Sequence, residues 1–175
     1  MADFYAYLLS SLPMLSFSDK PPLSFGNFLE KCSGFIPDRD MESLKKLPQE
    51  FLSYQENQVI KKAASFETLL RNELAHLRAV RKKISPEKYL RPSPDAPGLA
   101  IYHVAAAALR SQSPLEAERL LDEARWIFLD ELGCGHFFDF DALLIYALKL
   151  LILERWDKIN KASGKALLEK ITTIN

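Results

Sequence analysis

The stretch from Ser113 to Leu132, SPLEAERLLDEARWIFLDEL, constrains this chain more than any other, because its first four residues already specify a helix start. Ser113 can cap the helix, Pro114 fits at the first helical position, where no N–H is needed, and Glu116 completes a reciprocal capping box. Leu120, Leu121, Ala124, Ile127 and Phe128 recur at helical spacing as an apolar face, and Gly133 and Gly135 end it. Asp139 or Asp141 then starts ALLIYALKLLILERWDKINKA, which the sequence closes near Gly164, with KALLEKITTIN as a last short helix or a frayed end. β-Branched residues are few and scattered elsewhere, so strand patterning is nearly absent.

The rest of the chain reads the same way. DFYAYLLSSL suits a short helix begun by Asp3, with a buried strand as the alternative, and Pro13 stops it. Ser24 is placed to cap FGNFLEKCSG, which puts Phe25, Phe28, Leu29 and Cys32 on one side and Gly34 at the stop. A further short helical piece lies between Pro37 and Pro48. From about Phe51 to Ile84 the spacing of Phe66, Leu69, Leu70, Leu74, Leu77 and Val80 predicts one long amphipathic helix, with KKAAS as a candidate break. The cluster SPEKYLRPSPDAPG follows, and LAIYHVAAAALRSQ returns to helix with alanines that permit close approach. The fold class is therefore all-α, a multi-helix bundle with long amphipathic helices. Residues 1–175 make one helical domain, in which the prolines near 85–98 either divide two packing units or form a long surface connection.

Charge and cysteine content narrow the function classes. Lys plus Arg and Asp plus Glu both number 23 in 175 residues, so no net charge favours nucleic acid. The two cysteines, Cys32 and Cys134, lack a disulfide framework and imply a reducing, cytoplasmic setting. The N-terminal apolar stretch has no basic region before it and carries Asp3, which argues against a cleaved signal. The apolar run Ala142–Leu153 is interrupted by Lys149 and falls short of the roughly 20 residues a spanning helix needs.

Three groups invite a chemical reading. Cys134 and His136, with Asp139 and Asp141 nearby, could serve a small helical hydrolase, but two near-adjacent ligands do not complete a zinc set and a nucleophile pair needs a third orienting group. The plainer reading is a glycine-bent turn whose histidine caps helix carbonyls. There is no Gly-x-Ser-x-Gly elbow and no nucleotide-binding glycine loop, so the expectation is a non-enzyme without metal or cofactor. The second group is basic: nine Lys or Arg face three acids between Lys61 and Arg91. Arg71, Arg78, Arg81 and Lys82 recur at helical intervals as a stripe for RNA, anionic lipid or an acidic protein, or simply as a solvated face. With only Tyr89 close by for stacking, nucleic acid is not the expected partner.

The third group is buried charge. Lys149 and Arg155 interrupt the most apolar helix and predict an ion pair with Asp122, Asp130 or Glu131. Asp130 and Glu131 oppose the dipole at a helix C-terminus and predict a positive neighbour, either Arg125 or a partner protein. Trp126 and Trp156 read as core anchors.

Four segments, FYAYLLSSLPMLSFSDKPPLSFGNFLEKC, LLRNELAHLRAVR, PLEAERLLDEARWIFLDEL and GHFFDFDALLIYALKLLILERW, resemble in order a bacterial family encoded beside V-type (V/A-type) ATPase subunits. That family in turn resembles a shortened C (d) subunit, the all-helical funnel between central stalk and membrane rotor ring. The resemblance implies a non-catalytic rotor-coupling or accessory factor, cytoplasmic or peripheral at the membrane face, with stalk subunits and the rotor ring as partners. Arg71, Asn72, Glu73 and Arg78 would belong to one helix signature, and Asp139, Asp141, Tyr146, Lys149, Arg155 and Trp156 to another, as packing and docking residues. The chain departs from the C subunit in being much shorter and in lacking an internal repeat.

Overall fold

A computed structural model describes the backbone of residues 2–50, 57–93 and 98–172, and side chains within 5–49, 57–93 and 98–162. Among the described residues the fold is entirely helical, with helices α1 (Ala2–Ser11), α2 (Phe25–Cys32), α3 (Asp38–Glu50), α4 (Gln58–Lys82), α5 (Leu99–Arg110), α6 (Pro114–Leu132) and α7 (Phe140–Thr172), and one 3-10 turn at Glu87–Tyr89. The all-α expectation holds. The chain forms two compact units, Met1–Gln49 with Gly133–Asn175, and Glu50–Leu132. The proline-rich segment near 85–98 is thus internal to the second unit, and the division falls at 49/50 and 132/133 instead.

In the first unit, α1 and α2 pack on α7. Ser24 caps α2 as its sequence requires, accepting from the Asn27 N–H, and Gly34 follows at φ +82°, where a side chain would be strained. Phe25, Phe28 and Cys32 of α2 are buried, as are Leu143, Leu144, Ala147 and Leu150 of α7. Phe28 stacks on Tyr146 at 5.5 Å between ring centroids. Helix α3 starts on the Pro37 carbonyl, which accepts from Asp40 and Met41, and it runs through Pro48 rather than stopping there. Pro48 falls in the last turns, where only its bond to the carbonyl four residues earlier is lost. Helix α7 likewise passes Gly164, since a lone glycine costs a helix only about 1 kcal/mol.

In the second unit, α4 packs on α5 and α5 on α6. Asn57 caps α4, accepting from the Val59 and Ile60 N–H groups, and no break occurs at the KKAAS stretch. The part of the long-helix expectation between 51 and 56 lies outside the described residues. Leu70 and Leu74 of α4, Ile101, Ala105 and Ala108 of α5, and Leu121 of α6 form one core cluster. The alanines bring the three backbones close, as their size allows, and Phe66 stacks on Phe128 at 4.2 Å. Helix α6 begins as its sequence announces: the Glu116 N–H donates to Ser113 Oγ, while the Glu116 carboxylate accepts from the Gln112 N–H, one residue beyond the usual box partner.

Candidate functional site

Helix α4 is built so that charge is sorted by sign. Its two acids, Glu67 and Glu73, are buried, and its six basic residues, Lys61, Lys62, Arg71, Arg78, Arg81 and Lys82, are exposed. Arg71, Arg78 and Lys82 lie seven and four residues apart and therefore share one stripe. Arg81 and Lys82 sit in the last turn, where the helix dipole favours cations. Helix α6 shows the opposite sign, with Glu116, Glu118, Glu123, Asp130 and Glu131 exposed against one exposed cation, Arg119. A chain without net charge thus presents a polarised second unit.

Of the two inward acids of α4, Glu67 is answered locally. Glu67 takes Arg71 at 2.5 Å on its own helix and Arg125 of α6 at 2.7 Å, and Arg125 also pairs with Asp122 at 2.7 Å. Asp122 is only 1% exposed. Burial works against ionising Glu67, but the hydrogen bonds and charges of Arg125 and Arg71 outweigh it and hold the carboxyl below its usual range. Burial opposes the Arg125 charge as well, and Glu67 and Asp122 raise its pKa above the ordinary guanidinium value. The expected neighbour of Asp130 and Glu131 is therefore engaged elsewhere: the Arg125 guanidinium points to Glu67 and Asp122.

The turn that carries Cys134 and His136 belongs to the first unit. Gly135 adopts φ +92°, and the His136 N–H closes the turn on the Gly133 carbonyl. His136 Nδ1 lies 2.6 Å from Asp139 Oδ2 and 3.8 Å from Asp141 Oδ2, while the other oxygen of Asp139 accepts from the Ala142 N–H and caps α7. Asp139, not Asp141, is the cap. The imidazole reaches this capping carboxylate through its ring, where helix carbonyls were the expected partner. Partial burial would raise the Asp139 pKa, but the His136 and Ala142 hydrogen bonds lower it further. Cys134 is exposed, and among the described residues no group of three or more His, Cys, Asp and Glu side chains is arranged to hold a metal.

The first unit buries a second thiol. Cys32 is fully buried, and burial pushes its pKa up to about 12, which keeps it an inert thiol at neutral pH. Tyr146 is likewise pushed up to about 12, first by burial and then by proximity to Cys32, and its hydroxyl donates to the Pro13 carbonyl. Tyr5 donates to Asp40, and its pKa is raised by burial and then by that carboxylate. Of the residues singled out on α7, Lys149 is half-buried and Arg155 is exposed. Glu154, between them and unremarked in the sequence, is the carboxylate with a long-range role: it accepts at 2.6 Å from the Phe25 N–H at the start of α2.

Residues 106–174 are similar to the family described as Protein of unknown function (DUF2764). The match takes in the end of α5 and all of α6 and α7, less than half of the chain. It therefore includes the acidic helix, the Gly133–Asp139 turn and the Lys149–Glu154 region, and leaves the basic helix α4 outside. No curated protein and no solved structure matches the chain. No helix among the described residues is long and apolar enough to cross a membrane.

Proposed function

We propose that this protein is a non-catalytic factor of a V-type ATPase, a rotor-coupling or assembly component akin to a shortened C (d) subunit. The observation that carries the reading is the sorted charge of α4, whose acids are all buried and whose cations all face outward. Apart from Arg71, which pairs with Glu67, the exposed cations of α4 face no exposed acid of the same helix, and a docking helix gains from presenting one sign to an acidic subunit. The four sequence segments that resemble the ATPase-linked family, and the all-helical fold, support the same reading. Arg71, Arg78 and Lys82 form the docking stripe.

The test is affinity purification of the native protein under gentle conditions from cells that express the ATPase. Stalk subunits should be recovered with it. Charge reversal by Arg78→Glu with Lys82→Glu should reduce that recovery while leaving the unfolding midpoint unchanged. Absence of ATPase subunits from the native eluate would count against the reading as a whole, and undiminished recovery by the variant would remove the stripe from it.

A further inference from the structure

The end of α4 and the segment after it form a tip with its own chemistry. Lys83 leaves the helix in the left-handed conformation at φ 56°, and the Ile84 N–H returns to the Ala79 carbonyl. The chain then doubles back: the Asn72 amide donates to the Arg91 carbonyl and accepts from the Arg91 N–H, both at 2.8 Å. Asn72 and Lys82 lie ten positions apart on α4, which corresponds to about 15 Å of helix, so residues 83–91 are laid along that length by a two-bond clasp.

Four apolar side chains face solvent there, although the core of the second unit lies close along the same helix. Val80 and Tyr89 are each 60% exposed, and Ile84 and Leu90 are exposed as well. Basic residues surround them: from Arg78 to Arg91 the chain has six Lys or Arg and one acid, Glu87. All six are exposed. Cations interleaved with aliphatic side chains suit a boundary that is anionic at its surface and apolar just beneath, where both kinds of group are satisfied together. A single-stranded nucleic acid would meet the cations, but Val80, Ile84 and Leu90 have no π-face on which a base could stack.

We infer that the 78–91 tip seats the protein on an anionic lipid surface, with Val80, Ile84, Tyr89 and Leu90 entering the headgroup layer and the surrounding cations meeting lipid phosphates. The contact is peripheral and reversible. It shares Arg78 and Lys82 with the docking stripe but binds a different partner, and it does not rest on the ATPase reading.

The experiment is co-sedimentation of the purified full chain with vesicles of phosphatidylcholine alone, and of phosphatidylcholine and phosphatidylglycerol in equal parts. Binding should appear with the mixed vesicles only and weaken as salt is raised. Lys83→Asn and Lys88→Gln should each lower partitioning roughly fivefold. Ile84→Ser with Leu90→Ser should lower it roughly tenfold or more without changing its salt dependence. Circular dichroism of each variant should match the parent, which separates lost binding from lost fold. No sedimentation with mixed vesicles at low salt overturns the inference, as does equal binding to neutral vesicles. Retention of a uridine oligonucleotide by a chain that ignores the vesicles would assign the tip to nucleic acid instead. Because no ATPase is present, failure here leaves the copurification test untouched, and the converse holds.

Discussion

The two units solve the same packing problem with different chemistry. The second unit is made from a continuous run of chain, three helices in succession, and it encloses a charged cluster, Glu67–Arg125–Asp122, beside an apolar core of leucine, isoleucine and alanine. The first unit joins both ends of the chain, and its long-range polar contacts sit at helix starts and loops: Glu154 on the Phe25 N–H, Tyr146 on the Pro13 carbonyl, Tyr5 on Asp40. Its interior is aromatic and aliphatic, with a thiol that stays protonated. Helices that are neighbours in sequence are brought together cheaply by short loops, so a core of small side chains with an ionic clasp suffices. Segments about a whole domain apart must overcome a larger loop-closure entropy, and large buried side chains supply the compensation.

The widest gap between the units should appear when each loses its central group. Phe28→Ala removes a fully buried ring stacked on Tyr146 and should cost about 4 kcal/mol in urea unfolding. Arg125→Met leaves Glu67 and Asp122 buried without their shared cation and should cost about 3 kcal/mol. Adding Glu67→Leu and Asp122→Leu to Arg125→Met should restore most of that loss, because the penalty comes from unpaired charge rather than missing volume. No second substitution should rescue Phe28→Ala in that way. If the triple variant is no better than Arg125→Met, the clasp is more than a compensated burial.

Acid sharpens the contrast further. Glu67 holds its folded pKa below the ordinary glutamate value, so the folded state binds fewer protons than the unfolded chain as the pH drops toward that value. Its contribution is complete above the ordinary pKa and is lost as pH falls through the folded one. The parent should exceed Glu67→Gln by about 2 kcal/mol at neutral pH. Unfolding curves taken at successively lower pH should show that advantage shrinking, and an advantage that survives to strong acid would deny the ionic origin.

Smaller effects probe the joints. Glu154→Ala deprives the first N–H of α2 of its carboxylate and should cost about 1 kcal/mol, read from the urea midpoint. Lys83→Gly should do the reverse in the second unit, raising stability by about 1 kcal/mol, since glycine adopts the left-handed cap of α4 without strain. Thermal midpoints of the two variants should move in opposite directions.

What could be read directly from residue order was the set of local choices. Ser24 and Ser113 each accept from a backbone N–H three residues onward, so their roles are written within four residues of chain, whereas the sequence offered Asp139 or Asp141 for α7 and the structure selected Asp139. Gly135 was legible for the same reason, because a positive φ in a tight turn is a local demand. Pro48 and Gly164 misled as stop signals, since a breaker near a helix end, or a lone glycine within a long helix, costs too little to decide against the packing of the remainder.

The sequence by itself determined that this protein is helical and where most helices begin, because capping and amphipathic spacing act over one or two turns of chain. Only the tertiary structure decided which charges face inward. Glu67 and Arg125 are 58 residues apart, and nothing in their surroundings distinguishes a buried acid from a solvated one until α6 is laid against α4. The same fold turns the acids of α4 toward the interior and leaves its cations outside. The sign of an exposed face is a property of how helices pack, because burial selects among side chains that a linear pattern presents on equal terms.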